Sequence, residues 1–131
     1  MKIIADTNLL VRLAAHDHSA QEKKVIKLLH DSDLVAIPLV ALCEFVWVMR
    51  SIYKFKPEAL IKSIRAFSET QKFELDQAAT KAGLEMLSAG GDFADGVIAH
   101  EGKWLGGEVF VSFDKDAIGL LKAQGHETKL L

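Results

Sequence analysis

The chain has 131 residues, of which 50% are hydrophobic and 26% are charged, and its formal net charge is −2. This amount of apolar material is enough to bury one core, and the length predicts a single domain that spans residues 1–131. The small negative charge excludes a protein that binds nucleic acid through an overall basic surface, so any such binding must depend on a local patch or on bound cations.

The cysteine content and the apolar segments indicate the cellular compartment of the protein. Cys43 is the only cysteine, which excludes a disulfide framework and a thiolate zinc site and fits a reducing compartment. The N-terminal sequence MKIIADTN lacks the long apolar core of a signal peptide. The longest apolar segment, Leu39–Met49, is interrupted by Glu44 and is shorter than the roughly 20 residues that a membrane helix needs. We therefore expect a soluble cytoplasmic protein with no membrane partner.

Strand and helix patterns alternate along the whole chain. In chain order, periodicity and capping residues predict a strand at Lys2–Ala5, helices at Asn8–Ala15 and Ala20–His30, a strand at Asp33–Ile37, a helix that begins near Pro38 and carries Glu44, a helix at Pro57–Phe67, a strand at Lys72–Glu74, a helix capped by Asp76 and ending at Ser88, a helix at Phe93–Trp104, a strand at Glu108–Val111, a helix at Lys115–Ala123 and a strand at Glu127–Leu130. This alternation predicts an α/β domain in which helices cover both faces of a largely parallel sheet.

Two aspartates come just after predicted strands. Asp6 follows the first strand in IIADTN, and Asp114 follows a later strand in VFVSFD. Ligand sites in an open parallel sheet form beyond the carboxyl ends of its strands. The sequence therefore predicts that both carboxylates lie at one edge of the sheet.

A third carboxylate, Glu44, lies within the apolar segment PLVALCEFVWVM. Because this helix is apolar on nearly all sides, we expect Glu44 to be buried. A buried ionised glutamate is costly unless a cation or a metal pairs with it, and no lysine or arginine lies within one helical turn. A hydrogen bond to buried backbone is the structural alternative. We expect Trp47 in this helix, and also Trp104, to lie in the core or in a dimer contact.

Further acids stand at the start of the helix in GGDFADGVIAH, where Asp92 and Asp95 meet exposed amide groups and the helix dipole. Each aspartate also has a purely structural interpretation. Asp6 and Asp92 fit N-caps, and Asp114 and Asp116 fit a turn residue and a first-turn acid. Acids gathered at one edge without a basic partner would repel one another, and divalent cations with oxygen ligands resolve that repulsion.

Four short motifs together carry a family resemblance. They are DTN at Asp6–Asn8, Glu44 in its apolar helix, DFADGVIA at Asp92–Ala99 and SFDKDA at Ser112–Ala117. In order, spacing and total length, this set resembles a PIN domain, and most of all the VapC toxins of toxin-antitoxin pairs. The resemblance extends over essentially the whole chain.

The resemblance implies a three-layer domain with a central twisted parallel sheet and the activity of a metal-dependent endoribonuclease. It implies that Asp6, Glu44, Asp95 and Asp114 form the catalytic and metal-binding quartet for Mg²⁺ or Mn²⁺. Asp92 and Asp116 are secondary candidates whose roles stay open. It also implies a homodimer that an antitoxin protein inhibits.

Several polar side chains near the quartet are candidates for binding the RNA substrate. Thr7, Asn8 and Ser112 offer hydroxyl or amide groups that can orient ligands or phosphate. Arg12, one helical turn beyond Asn8, can reach a phosphate, although a surface arginine on a helix would look the same in sequence. We expect the antitoxin to bind an existing groove or apolar patch, near the helices at 42–49 and 60–67.

Two other classes of protein fit parts of the pattern. A receiver-type or aspartyl-phosphate domain also places an aspartate after its first strand, but the aspartyl-phosphate enzymes require a second acid beside it, where Thr7 and Asn8 stand here. A non-catalytic RNA-binding or regulatory module is the second alternative, and it predicts no metal-dependent turnover.

Overall fold

The computed structural model describes every residue from Met1 to Leu131. The chain forms two compact units, residues 1–76 and residues 77–131. In chain order its elements are β1 (Lys2–Ile4), α1 (Thr7–Ala15), α2 (Ser19–Asp31), β2 (Leu34–Ala36), α3 (Leu39–Ser51), α4 (Pro57–Glu69), β3 (Phe73–Glu74), α5 (Gln77–Ser88), α6 (Phe93–Trp104), β4 (Val109–Ser112), α7 (Lys115–Ala123) and β5 (Glu127–Leu130). The α/β class with parallel strands and flanking helices is confirmed, and every predicted element is present.

The first unit contains a parallel sheet in the order β1-β2-β3. Ile3 is in register with Val35, and Val35 in turn pairs with Phe73, so β2 is the central strand. Val35 is fully buried there, as expected for an apolar residue in the middle of a covered sheet. The amide of Ala5 continues the ladder by donating to the carbonyl of Ala36, which carries the extended backbone up to the residue before Asp6.

Helices α3 and α4 supply most of the core of the first unit. The fully buried side chains on these two helices are Leu42, Phe45, Met49, Leu60 and Ile64. The Phe45 ring meets the Phe67 ring edge-on at 5.3 Å between centroids, a geometry that aromatic pairs favour. α4 begins at Pro57 because proline at the first helical position loses no intrahelical hydrogen bond.

The second unit pairs β4 with β5 in a parallel two-stranded sheet, with Phe110 opposite Thr128. Its buried cluster joins Met86, Ala99 and Leu121, with Phe110 packed against them. One residue from each of α5, α6 and α7 thus meets the sheet, which is the helix-on-sheet arrangement that the alternating pattern predicts. Hydrogen bonding therefore forms a parallel sheet of three strands in the first unit and a parallel sheet of two strands in the second.

No helix combines the length and the apolar character that crossing a lipid bilayer requires.

Candidate active site

Asp6 occupies the junction between β1 and α1. Its backbone is extended, and its Oδ1 accepts a hydrogen bond of 3.0 Å from the amide of Leu9, so the side chain is the N-cap of α1. The cap satisfies one of the first amide groups of the helix, which have no intrahelical partner. The carboxylate is exposed and uses only Oδ1 in this contact, which leaves Oδ2 for another ligand.

Glu44 is exposed, so the prediction that it is buried was wrong. The reason is visible along one side of α3, where Val40 is 70% exposed and Trp47 is 64% exposed. Phe45, the next residue after Glu44 in the chain, is buried, whereas Trp47 faces solvent and so does not lie in the core of this chain. An apolar sequence on all sides of a helix does not show which side packs.

The partner of Glu44 is a hydroxyl group. Thr7 Oγ1 donates a hydrogen bond of 3.0 Å to Glu44 Oε2, from the first turn of α1 to the middle of α3. Thr7 directly follows Asp6 in the chain, so this bond holds Glu44 beside the residue that the cap fixes. The sequence predicts that Thr7 binds substrate, and no local pattern reveals its contact with Glu44, because the two residues are 37 apart in the chain.

The second unit gathers three aspartates near the start of α6. Asp92 is the N-cap of this helix, with Oδ1 accepting 3.1 Å from the amide of Ala94, and Asp95 lies in the first turn. Burial raises the pKa of the Asp95 carboxyl above its usual value, and the negative charges of Asp92 and then Asp114 raise it further. The three carboxylates are therefore electrostatic neighbours.

Asp114 repeats the arrangement of Asp6 at the junction of β4 and α7. Its Oδ1 accepts hydrogen bonds from the amides of Asp116 and Ala117, at 2.9 and 3.2 Å. The Ser112 hydroxyl accepts a third bond of 3.0 Å from the amide of Asp114, which fixes the turn between strand and helix. Oδ2 of Asp114 again takes no part in the cap. Asp116 lies exposed in the first turn of α7.

Arg12 belongs to a closed hydrogen-bonded group that sequence analysis missed. Its Nη1 donates to Asp17 Oδ1 at 2.7 Å and its Nη2 donates to Tyr53 Oη at 2.9 Å, while Tyr53 Oη donates to Asp17 Oδ2 at 2.9 Å. The Tyr53 hydroxyl, and then the Arg12 charge, hold the pKa of Asp17 below its usual value. The only sequence signal was the chemistry of the side chains, since Tyr53 is 41 residues from Arg12.

Asn8 stands exposed in the first turn of α1.

The acidic side chains have the right donors for a hard divalent cation. Carboxylate oxygens suit Mg²⁺ and Mn²⁺, and the caps at Asp6, Asp92 and Asp114 each use a single oxygen. No group of three or more His, Cys, Asp or Glu side chains is arranged closely enough to hold a metal ion. The donor chemistry therefore fits such a cation, and the structure contains no preassembled metal cage.

Comparison with known proteins gives one result that bears on this site. No curated protein matches the chain. The family model described as "PIN domain" matches residues 3–122, which includes all of the aspartates and the glutamate described above. The chain therefore belongs to the PIN domain family, and its fold is of the nuclease type.

Proposed function

We propose that this chain is a single PIN domain, residues 1–131, that acts as a metal-dependent endoribonuclease and hydrolyses RNA phosphodiester bonds. The observation that carries the proposal is a repeated geometry within a PIN domain sequence. In each unit an aspartate follows a parallel strand, caps the next helix through Oδ1 and keeps Oδ2 for a ligand. Membership in the PIN family favours this function over a receiver-type domain or a non-catalytic RNA-binding module.

We assign the ligands of Mg²⁺ or Mn²⁺ to Asp6, Glu44, Asp95 and Asp114, with Asp92 and Asp116 as secondary candidates. Such a cation, when bound, lowers the pKa of a water molecule and stabilises the charge that develops on a phosphate. It also removes the repulsion that an RNA backbone would otherwise meet at an acidic surface.

The other polar residues in this proposal orient these carboxylates. The Thr7 hydroxyl fixes Glu44 Oε2, and the Ser112 hydroxyl fixes the backbone of Asp114. Groups that hold a ligand through a second hydrogen bond contribute to its orientation and to its affinity for metal. The caps do the same for the aspartates, because each ties a carboxylate to the rigid start of a helix.

Thr7, Asn8, Ser112 and Arg12 are the proposed contacts to RNA. A guanidinium group carries five N–H donors, and Arg12 uses two of them in its hydrogen bonds to Asp17 and Tyr53, so three take no part in these bonds. Because Asp17 and Tyr53 hold the side chain in one conformation, binding a phosphate costs little additional side-chain entropy.

We further propose that the protein is the toxin of a type II toxin-antitoxin system, works as a homodimer in the cytoplasm and is inhibited by a VapB-like antitoxin. Apolar side chains at the surface of each unit support a protein partner. Trp47 on α3 is 64% exposed, and Trp104 at the end of α6 is 88% exposed. Tryptophan is among the residues most enriched at protein interfaces.

A cleavage assay tests the nuclease. Purified protein is expected to cut RNA with Mg²⁺ or Mn²⁺, to lose this activity in EDTA, and to show no stimulation specific to zinc. Asp6→Asn and Asp114→Asn are expected to be inactive, whereas Asp31→Asn, an exposed aspartate outside the site, retains the wild-type rate. Undiminished cleavage in EDTA by protein free of contaminating nuclease would contradict the proposal.

A growth assay tests the toxin role separately. Expression without an antitoxin is expected to arrest growth, and Asp6→Asn is expected to relieve the arrest. An Asp6→Asn protein that accumulates to the same level and arrests growth equally would disconnect toxicity from the acidic residues.

A further inference from the structure

The first turn of α6 packs closely against α5 at two glycines, Gly83 and Gly96. A Cβ atom at Gly83 of α5 would lie 2.5 Å from Cε2 of Phe93, whose ring is fully buried. A Cβ atom at Gly96 of α6 would lie only 2.3 Å from the backbone oxygen of Ala82 and 2.9 Å from Met86 Cγ. Both helices can approach this closely only because these two positions have no side chain.

The two contacts differ in how easily they adapt. At Gly83 the neighbour is an aromatic side chain that can rotate or shift. At Gly96 the neighbour is a backbone carbonyl of α5, so the helices themselves must separate. Since ordinary contact distances begin at 3.4 Å, relief of the contact at 2.3 Å requires a displacement of about 1 Å.

Asp95 lies between these contacts, after Phe93 and directly before Gly96. The Asp95 carboxylate accepts no hydrogen bond from a backbone amide of α6, whereas the Asp92 carboxylate accepts one from the amide of Ala94. The position of the Asp95 carboxylate, partly buried and close to Asp92 and Asp114, therefore depends on where α6 packs on α5.

We propose that Gly96 is a positioning residue for the nuclease: its missing side chain sets the depth at which α6 packs on α5 and thereby places the Asp95 carboxylate for binding metal. This inference rests on the proposed function. A displacement of about 1 Å at a ligand is enough to lower a reaction rate by about 100-fold.

The test uses Gly96→Ala and a matched control in the same helix. Gly102→Ala makes the same substitution in α6 at a position where the new Cβ meets nothing within 4 Å. Ile64→Ala, at a fully buried residue of α4, serves as a variant with lowered stability outside α5 and α6. Each protein is measured by thermal unfolding, by Mn²⁺ binding in isothermal titration calorimetry, and by RNA cleavage as a function of Mn²⁺ at a temperature where it is folded.

For a folded Gly96→Ala protein we expect Mn²⁺ binding weakened by about 10-fold and cleavage at saturating Mn²⁺ reduced by about 10- to 100-fold. Gly102→Ala and Ile64→Ala are expected to bind Mn²⁺ as the wild type does. A folded Gly96→Ala with wild-type Mn²⁺ affinity and cleavage would overturn the inference, as would an equal loss of affinity in Ile64→Ala. If Gly96→Ala does not fold, Phe93→Leu removes the ring from Gly83, and unchanged Mn²⁺ affinity in this variant overturns it. A wild-type protein that neither binds Mn²⁺ nor cleaves RNA would instead refute the proposed function itself.

Discussion

The Thr7 hydroxyl donates a 3.0 Å hydrogen bond to Glu44 Oε2, and this bond connects the start of α1 with the middle of α3. It gives Glu44 a defined orientation although its side chain is exposed, next to the residue that caps α1. A residue that holds a ligand carboxylate in this way contributes to metal affinity without touching the metal.

Removal of the Thr7 hydroxyl is expected to lower activity more than stability. Thr7→Val keeps the shape of the side chain, and we expect cleavage to fall by about 10-fold, because Glu44 loses its only fixed hydrogen bond. Thr7→Ser retains a hydroxyl and is expected to keep most of the activity. Cleavage rates of both variants over a range of Mn²⁺ concentrations test this, and an equal loss in the two would show that the methyl group matters rather than the bond.

Substitutions at Asp114 separate its structural role from its chemical role. Asparagine caps helices about as well as aspartate, so Asp114→Asn is expected to leave the free energy of unfolding nearly unchanged. Asp114→Ala loses the cap of α7 and is expected to lose about 1 kcal/mol. Both variants lack the carboxylate and are expected to be inactive. Urea unfolding measures the effect on stability, and the cleavage assay measures the effect on activity. An active Asp114→Asn would show that Asp114 only caps α7 and binds no metal.

The raised pKa of Asp95 predicts a pH dependence with a definite sign. Because burial and the charges of Asp92 and Asp114 raise this pKa in the folded state, folding favours the protonated form. The contribution to stability is complete below the usual value of 3.8 and is lost as the pH rises through the raised pKa. Asp95→Asn, which stays neutral, is therefore expected to be more stable than the wild type at pH 7.

The difference between the two proteins must be measured, since other carboxyls titrate with the opposite sign. The Tyr53 hydroxyl lowers the pKa of Asp17, and the N-terminal ammonium group lowers that of Asp33. Their contributions cancel when wild type and Asp95→Asn are compared by urea unfolding without metal at each pH. The advantage of Asp95→Asn should shrink as the pH falls, and an advantage that grows toward acid would contradict the assignment.

Sequence patterns predicted the positions of the elements well because periodicity, proline and capping residues act locally. The same local rules located Asp6 and Asp114 at the ends of strands and Asp92 at the start of α6. They failed for Glu44, because an almost wholly apolar helix does not show which face packs. The bond from Thr7, the Arg12 group and the close approach at Gly96 join residues that are distant in sequence, and only the folded chain reveals them.

With Glu44 exposed, Glu44→Gln is expected to change stability by no more than about 0.5 kcal/mol.

Thr80 offers a test of the packing in α5. Its side chain is buried, and its hydroxyl has no hydrogen-bond partner. Since an unsatisfied buried hydroxyl costs about 1–3 kcal/mol, Thr80→Val is expected to unfold at an equal or higher urea concentration. Thr70→Val is the control, because the Thr70 hydroxyl donates to the carbonyl of Ala66 and its loss should destabilise. A clear destabilisation of Thr80→Val would mean that the hydroxyl is satisfied.

The most direct test of the central claim is the rate of RNA cleavage measured against Mn²⁺ concentration for four charge-removing variants, Asp6→Asn, Glu44→Gln, Asp95→Asn and Asp114→Asn. Each substitution preserves the shape of the side chain, so a loss of activity reports the loss of a metal ligand. We expect every variant to fold, to need much more Mn²⁺ and to cleave slowly or not at all, while Asp31→Asn follows the wild-type curve. Wild-type Mn²⁺ dependence in any one of the four would remove that residue from the site, and wild-type behaviour in all four would contradict the account.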